Sequence, residues 1–300
     1  MSRIFDALQR ANRERGASPE SDSPESGEPF AALGELNLSP IQEDVLIDLI
    51  VRHPWNPFLN ALPTLGDRSE GIEQFRGLRT QIYQFRDQAP LKTMLISSGL
   101  PAEGKTFVAA NLAISLARNK NNTVLLIDAD LRKPSLHSLL GAPNLPGLAE
   151  YLSGSAQANE ILQRNQNSRV NLEGRSWQMP DLTFIPAGEG GDHSSELVAN
   201  HRFEELIATL SPHFDWIIID SPPVLAVADA IDLARAADAV LLVARAAQTP
   251  YDVAQRAQAA FVNSRLLGFV LNAVRDAPHS GGYYYYGKRE AGSGLHERKE

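Results

Sequence analysis

The sequence predicts an α/β fold in which helices cover both faces of a mostly parallel sheet. Short, almost uninterrupted apolar runs alternate with helical patterns from about residue 70 onward, which is typical of parallel strands buried on both faces. A glycine-containing turn of the phosphate-binding type follows the first run. The runs occupy residues 93–97, 123–128, 182–186, 216–220, 239–244 and 266–272, and the helical patterns residues 70–85, 105–119, 195–210, 226–236 and 251–264.

The bulk composition excludes several classes of protein. The 300 residues include 43% hydrophobic and 21% charged side chains, and the formal net charge of -8 indicates no nucleic-acid partner. The absence of cysteine excludes disulfides, thiol catalysis and cysteine metal sites. No apolar run reaches the roughly 20 residues of a membrane span, and the start lacks a signal-peptide core. We therefore expect a cytoplasmic protein.

The N-terminal segment, residues 1–15, has an amphipathic helical pattern. Its stripe of Ile4, Phe5, Leu8 and Ala11 predicts either a docking helix for a partner or membrane surface, or a marginal helix that frays in water. The sequence does not decide between these two interpretations.

The remaining domain boundaries follow from composition and period. Residues 16–69 begin with a stretch rich in Ser, Pro, Gly and Glu and continue without a sustained period, which predicts a disordered linker and a loosely packed lead-in. Residues 70–275 carry the alternating pattern and form the predicted folded domain, with a polar surface excursion at residues 154–181. Residues 276–300 lack a core pattern and are expected to be a flexible tail.

A phosphate-binding loop is predicted at residues 99–106, between an apolar strand and a helix. The segment GLPAEGKT has the G-x-x-x-x-G-K-[ST] spacing, in which glycines let successive N–H groups face anionic oxygens and the helix adds its positive end. Lys105 can reach the β- and γ-phosphates of ATP, and the Thr106 hydroxyl can ligate Mg²⁺. The candidate ATP-binding residues are Gly99, Leu100, Pro101, Ala102, Glu103, Gly104, Lys105, Thr106 and Phe107.

Three aspartates follow apolar strands and complete the candidate catalytic set. Asp128 and Asp130 lie in LLIDADLRKP, and Asp220 ends WIIID. Mg²⁺ prefers hard oxygen ligands, so Asp220 is the best candidate for the metal shell. The Asp128/Asp130 pair suggests one carboxylate near the metal and one that accepts a hydroxyl proton, and spacing alone leaves the assignment open.

The combination of GLPAEGKT, LLIDADLRKP and WIIIDSPPV resembles the bacterial tyrosine kinases, the autokinases that accompany capsule and exopolysaccharide synthesis. EQFRGLR, with Glu73, Arg76 and Arg79, is similar to the E-x-x-R-x-x-R motif that this family uses to pack subunits into a ring. The resemblance covers roughly residues 60–290, and MSRIFDALQRA is similar to the start of the soluble, separately encoded members. It implies the P-loop nucleotide-triphosphatase fold and tyrosine autokinase activity.

The resemblance also assigns roles to residues and to partners. Tyr283, Tyr284, Tyr285 and Tyr286 match the C-terminal tyrosine cluster that each subunit offers to its neighbour. Thr106, Asp130 and Asp220 would hold Mg²⁺, and Asp128 would accept the tyrosine proton. The implied partners are further copies of the chain, other tyrosine-containing proteins and a separate membrane-embedded polysaccharide co-polymerase that activates the kinase. Such a partner would hold the protein at the inner face of the membrane.

Two other functions are compatible with the fold. A partition or positioning ATPase would carry a lysine where this chain has Leu100 and would lack the tyrosine run. A non-catalytic nucleotide-binding scaffold would regulate polysaccharide assembly by docking. The sequence departs from the family's pattern at Ala102, where many relatives have glycine, and at HSSEL (residues 193–197). Asn272, at a strand end, is a candidate for contacting adenine.

Overall fold

The computed structural model describes residues 50–66, 70–172 and 175–274, and an eight-stranded sheet organises them. The order across the sheet is β1-β4-β7-β3-β8-β2-β9-β10, and every neighbouring pair is parallel except β4 with β7. A separate antiparallel pair, β5 with β6, lies outside this sheet. The strands are β1 (Val51–His53), β2 (Thr93–Ser98), β3 (Val124–Asp128), β4 (Gln163–Asn165), β5 (Arg169–Leu172), β6 (Arg175–Gln178), β7 (Leu182–Ile185), β8 (Trp216–Asp220), β9 (Ala239–Arg245) and β10 (Leu266–Asn272).

Helices pack on both faces of the sheet. Helices α1 to α3 contribute to one apolar cluster and α4 to α9 to the other. The helices are α1 (Glu70–Gln88), α2 (Lys105–Ala117), α3 (Leu136–Leu140), α4 (Leu148–Ser153), α5 (Ala158–Ile161), α6 (Ser194–Ala199), α7 (Arg202–Leu210), α8 (Asp229–Leu233) and α9 (Tyr251–Ala260). The predicted mostly parallel α/β fold is confirmed.

The alternation of side chains between two covered faces explains why the middle positions of the central strands are apolar. In β8, Ile217 and Ile219 join one cluster, whereas Trp216 and Ile218 join the other. All four side chains are fully buried. A strand covered on both faces has no solvent side, so its sequence cannot alternate between apolar and polar residues.

The lead-in differs from the expectation of loose packing. Within residues 50–66, Trp55, Leu62 and Leu65 are at most 3% exposed and belong to the same cluster as α2. This segment consists of β1 and two short 3-10 turns, Leu59–Ala61 and Pro63–Leu65. Such short elements have no sustained hydrophobic period, which is why the sequence pattern gave no sign of their packing.

The predicted surface excursion at residues 154–181 also contributes to the sheet. Its strand β4 pairs with both β1 and β7, and Gln163 and Asn165 are largely buried there. The Asn165 side-chain oxygen accepts a hydrogen bond from the Trp55 backbone at 3.0 Å. These buried side chains are polar, so a search for apolar runs missed this strand.

The helix predicted at residues 195–210 is two helices, α6 and α7. Asn200 between them has an extended backbone, and its side-chain oxygen accepts a hydrogen bond from Arg202 N–H at 3.1 Å. An Asn side chain that bonds a backbone N–H competes with helix continuation. Across the described residues, no helix is both long and apolar enough to cross a membrane. The predicted N-terminal helix, most of the linker and the tyrosine-containing tail lie outside the described residues.

Candidate active site

The phosphate loop joins the end of β2 to the start of α2, as predicted. Gly104 precedes the helix with a φ of 97°, and Ala102 has a φ of 65°. The Glu103 carboxylate accepts a hydrogen bond from Leu100 N–H at 2.8 Å across the loop. This Leu100 amide is therefore engaged inside the loop and is not free to contact a phosphate.

A side chain at Gly104 would be strained for two reasons. Its φ lies in the left-handed region, and a Cβ atom would stand 1.9 Å from Asn272 Nδ2. We expect Gly104→Ala to weaken ADP binding at least about tenfold, because the loop must change shape to admit the methyl group. Calorimetric titration measures this loss. Gly77→Ala on α1 is the matched control, since nothing lies within 4 Å of a Cβ atom there; equal affinities in the two variants would contradict the prediction.

Substitution of Ala102 by glycine should have the opposite effect and relieve backbone strain. An L residue in the left-handed region is disfavoured, whereas glycine adopts it freely. Because glycine also gains entropy in the unfolded chain, we expect Ala102→Gly to raise the free energy of unfolding by only about 0–1 kcal/mol. Chemical denaturation measures the change. A loss of more than about 1 kcal/mol would show that the Ala102 methyl group contributes packing that offsets its backbone strain.

Lys105 lies between two of the predicted aspartates. Its Nζ donates a hydrogen bond to Asp130 Oδ2 at 2.8 Å and lies 3.8 Å from Asp220 Oδ1. All three side chains are buried. Burial lowers the pKa of Lys105, but the carboxylates of Asp220 and Asp130 outweigh it, and the pKa is raised. The lysine is therefore held in its charged form.

Asp220 is a buried carboxylate without a hydrogen-bond partner of ordinary geometry in the described part of the chain. Burial raises its pKa to about 6, although the nearby Lys105 ammonium and Thr106 hydroxyl oppose the rise. A buried anion lacking hydrogen bonds is costly. Its oxygens, together with the Thr106 hydroxyl and Asp130, form the hard-oxygen donor set that suits Mg²⁺. The residues present thus fit the predicted metal.

Asp128 occupies a different environment from Asp130. It is fully buried, and its Oδ2 accepts hydrogen bonds from the backbone N–H groups of Ser135 and Leu136 at 3.1 and 3.0 Å. Burial raises its pKa to about 8, and the adjacent Asp220 carboxylate adds to the rise. Asp128 thus anchors the start of α3, whereas Asp130 lines the cavity beside the loop. This asymmetry is not visible in the D-x-D spacing.

A cavity of about 340 Å³ lies in front of the phosphate loop. Its walls come from the loop, from the segment after β3 and from the segment after β8, which places it at the carboxyl ends of the central strands. Ligands of open α/β sheets bind at this edge. The lining includes Pro101, Ala102, Gly104, Lys105, Thr106 and Asp130.

Arg132 lines the same cavity and is held by residues that the sequence prediction missed. Its Nε donates to Asp229 Oδ2 at 3.1 Å, and its Nη2 donates to the Ser195 hydroxyl. That hydroxyl in turn donates to Asp229 Oδ1 at 2.8 Å. Ser195 belongs to the HSSEL segment, whose departure from the family pattern was the one available signal. Asp229 carried no signal beyond its place in the helical pattern at residues 226–236.

Other predicted site residues lie outside the cavity. The Phe107 ring packs against Phe75 with a centroid distance of 5.8 Å, toward α1. On the same helix Arg76 pairs with Glu73 at the surface at 2.5 Å. Arg79 instead donates to the Ser115 carbonyl at 2.6 Å. The structure therefore leaves Glu73 and Arg76 exposed and engages Arg79 within the chain.

The fold and this site define a P-loop nucleoside-triphosphate-binding protein. The loop, its lysine and the strand-end aspartates converge at one edge of a mostly parallel sheet. The comparisons with known proteins agree with this class. The AAA domain family model matches residues 102–255.

The relatives narrow the class to one family. The chain is 32% identical to the tyrosine-protein kinase YwqD of Bacillus subtilis over 77% of this chain and 92% of YwqD. Among solved structures, the chimerical protein CapA2B2 matches with a TM-score of 0.64 at 27% identity, covering 78% of this chain and 99% of that one. The kinase domain of Escherichia coli tyrosine kinase ETK matches with a TM-score of 0.63 at 31% identity, covering 79% and 87%.

The chain therefore belongs to the bacterial tyrosine-protein kinases, the autokinases of capsule and exopolysaccharide synthesis. It is a protein-tyrosine kinase of the P-loop type and uses ATP.

Proposed function

We propose that the chain is a Mg²⁺-dependent autokinase that transfers the γ-phosphoryl group of ATP to Tyr283–Tyr286 of a neighbouring copy. The observation that carries this proposal is the placement of Lys105 between Asp130 and Asp220 at the phosphate loop. A buried ammonium among carboxylates at this edge of the sheet suits phosphoryl transfer, which depends on positioning and charge neutralisation.

Each residue has a distinct role in the proposed reaction. The loop amides and Lys105 hold the phosphates, and Thr106, Asp130 and Asp220 hold Mg²⁺. When bound, the metal neutralises charge on the phosphate oxygens. We assign proton acceptance from the tyrosine hydroxyl to Asp128. Because Asp128 is fully buried, this role requires a rearrangement that gives the tyrosine hydroxyl access to its carboxylate.

Labelling with ATP tests the proposal directly. Purified protein is incubated with labelled ATP and Mg²⁺, and phosphate is mapped by mass spectrometry. Label on Tyr283–Tyr286 supports the autokinase, whereas free phosphate without protein label supports a positioning-type ATPase. Absence of both, after repetition with a candidate activator, supports a nucleotide-binding scaffold.

We further propose that the kinase works as a homo-oligomer, such as a ring, with Glu73, Arg76 and Arg79 at its interface. Four phosphates would add about -6 to -8 charges to the tail, and repulsion from an acidic assembly would loosen it. Gel filtration before and after phosphorylation tests this step. An unchanged oligomer would contradict it.

The activator of this kinase is proposed to be a separate membrane-embedded polysaccharide co-polymerase. Contact with it would hold a cytoplasmic kinase at the inner face of the membrane. The similarity to the chimerical protein CapA2B2 supports association with such a partner. Other tyrosine-containing proteins are further proposed substrates.

A further inference from the structure

Three alanines have a left-handed backbone conformation. Ala102, Ala247 and Ala273 are the non-glycine residues with positive φ in the described part of the chain, at 65°, 58° and 55°. One lies in the phosphate loop, one after β9 and one after β10. Left-handed L residues persist only where their surroundings hold them, and they cluster at functional sites.

Hydrogen bonds join these three segments to one another. Arg245 Nη1 donates to the Ala102 carbonyl at 3.0 Å, and Asn272 Nδ2 donates to the Glu103 carbonyl at 2.9 Å. Ala246 N–H donates to the Asn272 carbonyl at 2.8 Å, which links the ends of β9 and β10. Two consecutive carbonyls of the phosphate loop are therefore bonded from behind.

The direction of these carbonyls fixes the direction of two amides. In a trans peptide the C=O and N–H bonds of one plane point opposite ways. The Ala102 carbonyl shares its plane with Glu103 N–H, and the Glu103 carbonyl shares its plane with Gly104 N–H. Both N–H groups therefore point away from Arg245 and Asn272, as an anion-binding loop requires.

The Glu103 side chain ties the loop to the same region. Glu103 is only 4% exposed, although it lies in a loop that binds anions. One carboxylate oxygen accepts a hydrogen bond from Leu100 N–H, and the other accepts one from the Thr249 hydroxyl. The Thr249 hydroxyl in turn accepts a hydrogen bond from the backbone N–H of Arg245 at 2.8 Å. The Glu103 carboxylate is therefore hydrogen-bonded to the turn that follows β9.

We infer that Arg245, Thr249 and Asn272 are positioning residues for the kinase reaction. We name these three residues the loop brace. They hold the peptide planes of residues 102–104 so that the Glu103 and Gly104 amides face the phosphates of the bound nucleotide. The inference rests on the proposed function, because it assumes that ATP phosphates occupy this loop. It gives Asn272 a role other than the adenine contact suggested by the sequence, because Asn272 Nδ2 donates to the Glu103 carbonyl.

A base-free ligand separates the two roles of Asn272. Binding of ATP and of inorganic tripolyphosphate, each with Mg²⁺, is measured by competition against a fluorescent ADP. We expect Asn272→Ala to weaken both ligands by the same factor, about 3- to 10-fold, because one hydrogen bond that orients the loop is lost. The KM for ATP should rise by the same factor. Leu271→Ala, one residue away and 60% exposed, is the matched control and should leave both affinities unchanged.

A second pair of variants tests the brace through Thr249. Thr249→Val removes the hydroxyl at constant shape and should weaken the binding of both ligands. Thr249→Ser keeps the hydroxyl and should bind both ligands as the unsubstituted chain does. The thermal midpoint of the nucleotide-free protein is recorded for each variant. Similar midpoints in Thr249→Val and Thr249→Ser with different affinities support positioning rather than general stabilisation.

Two results would overturn the inference. Weaker ATP binding with unchanged tripolyphosphate binding in Asn272→Ala would indicate an adenine contact. Unchanged binding of both ligands in Asn272→Ala and Thr249→Val would show that the loop keeps its shape without the brace. If the unsubstituted chain binds neither ligand, the proposed function itself fails, and the inference fails with it.

Discussion

Replacing Lys105 with methionine should abolish tyrosine phosphorylation by this chain. Lys105 supplies the ammonium at the phosphate loop, with Asp130 at 2.8 Å and Asp220 at 3.8 Å. Loss of one preorganised electrostatic group at a reacting centre lowers kcat by about 10²–10³-fold or more. Labelled ATP with tryptic mapping of the C-terminal peptide measures the effect.

The Lys105→Met variant needs two controls. Lys120→Met removes an exposed lysine in the turn that follows α2 and should leave labelling unchanged. Removal of the ammonium leaves the buried Asp130 and Asp220 without their cation, which is destabilising. The second control is therefore a circular dichroism spectrum that shows that Lys105→Met is folded. Labelling of the folded variant that persists after removal of any contaminating kinase would contradict the proposed role of Lys105.

Replacing Tyr283, Tyr284, Tyr285 and Tyr286 together with phenylalanine should remove the label from the chain while leaving the kinase active. Phenylalanine keeps the aromatic ring and lacks the hydroxyl that accepts the phosphoryl group. The substitution leaves every residue described as lining the cavity unchanged. ADP release on an added tyrosine-containing peptide measures the retained activity.

Mixing this variant with Lys105→Met tests transfer between copies. The first retains the kinase site without acceptors, and the second retains acceptors without the kinase lysine. Phosphorylation in trans predicts label on the Lys105→Met chain in the mixture and none in either variant alone. An unlabelled mixture, with both variants folded and the first active on the peptide, would mean that each copy phosphorylates only itself.

The sequence alone was sufficient for the central strands and the phosphate loop. Strands buried on both faces are apolar through their middle positions, so β2, β3, β8 and β9 appear as continuous runs. The loop was recognisable because its function depends on glycine, lysine and threonine at fixed spacing within eight residues. The aspartates at the ends of β3 and β8 were predicted because parallel strands end at one edge of the sheet.

Elements that carry a weak local signal were not predicted correctly. The strand β4 is polar and buried, and the lead-in packs through 3-10 turns without a period. The helix predicted at residues 195–210 is interrupted because Asn200 bonds its own backbone region rather than continuing the helix. In each case a tertiary contact or a side-chain hydrogen bond outweighs the local pattern.

The sequence by itself determined that a strand, a phosphate loop and a helix follow one another, and which side chains could hold ATP. Only the tertiary structure decided that Asp130 accepts a hydrogen bond from Lys105, whereas Asp128 accepts one from the Ser135 backbone. It also brought Asn272 against Glu103, although 169 positions separate them in the chain. The reason is physical: local spacing fixes the conformation of a segment, whereas burial, ion pairs and loop orientation depend on segments that meet only when the sheet assembles.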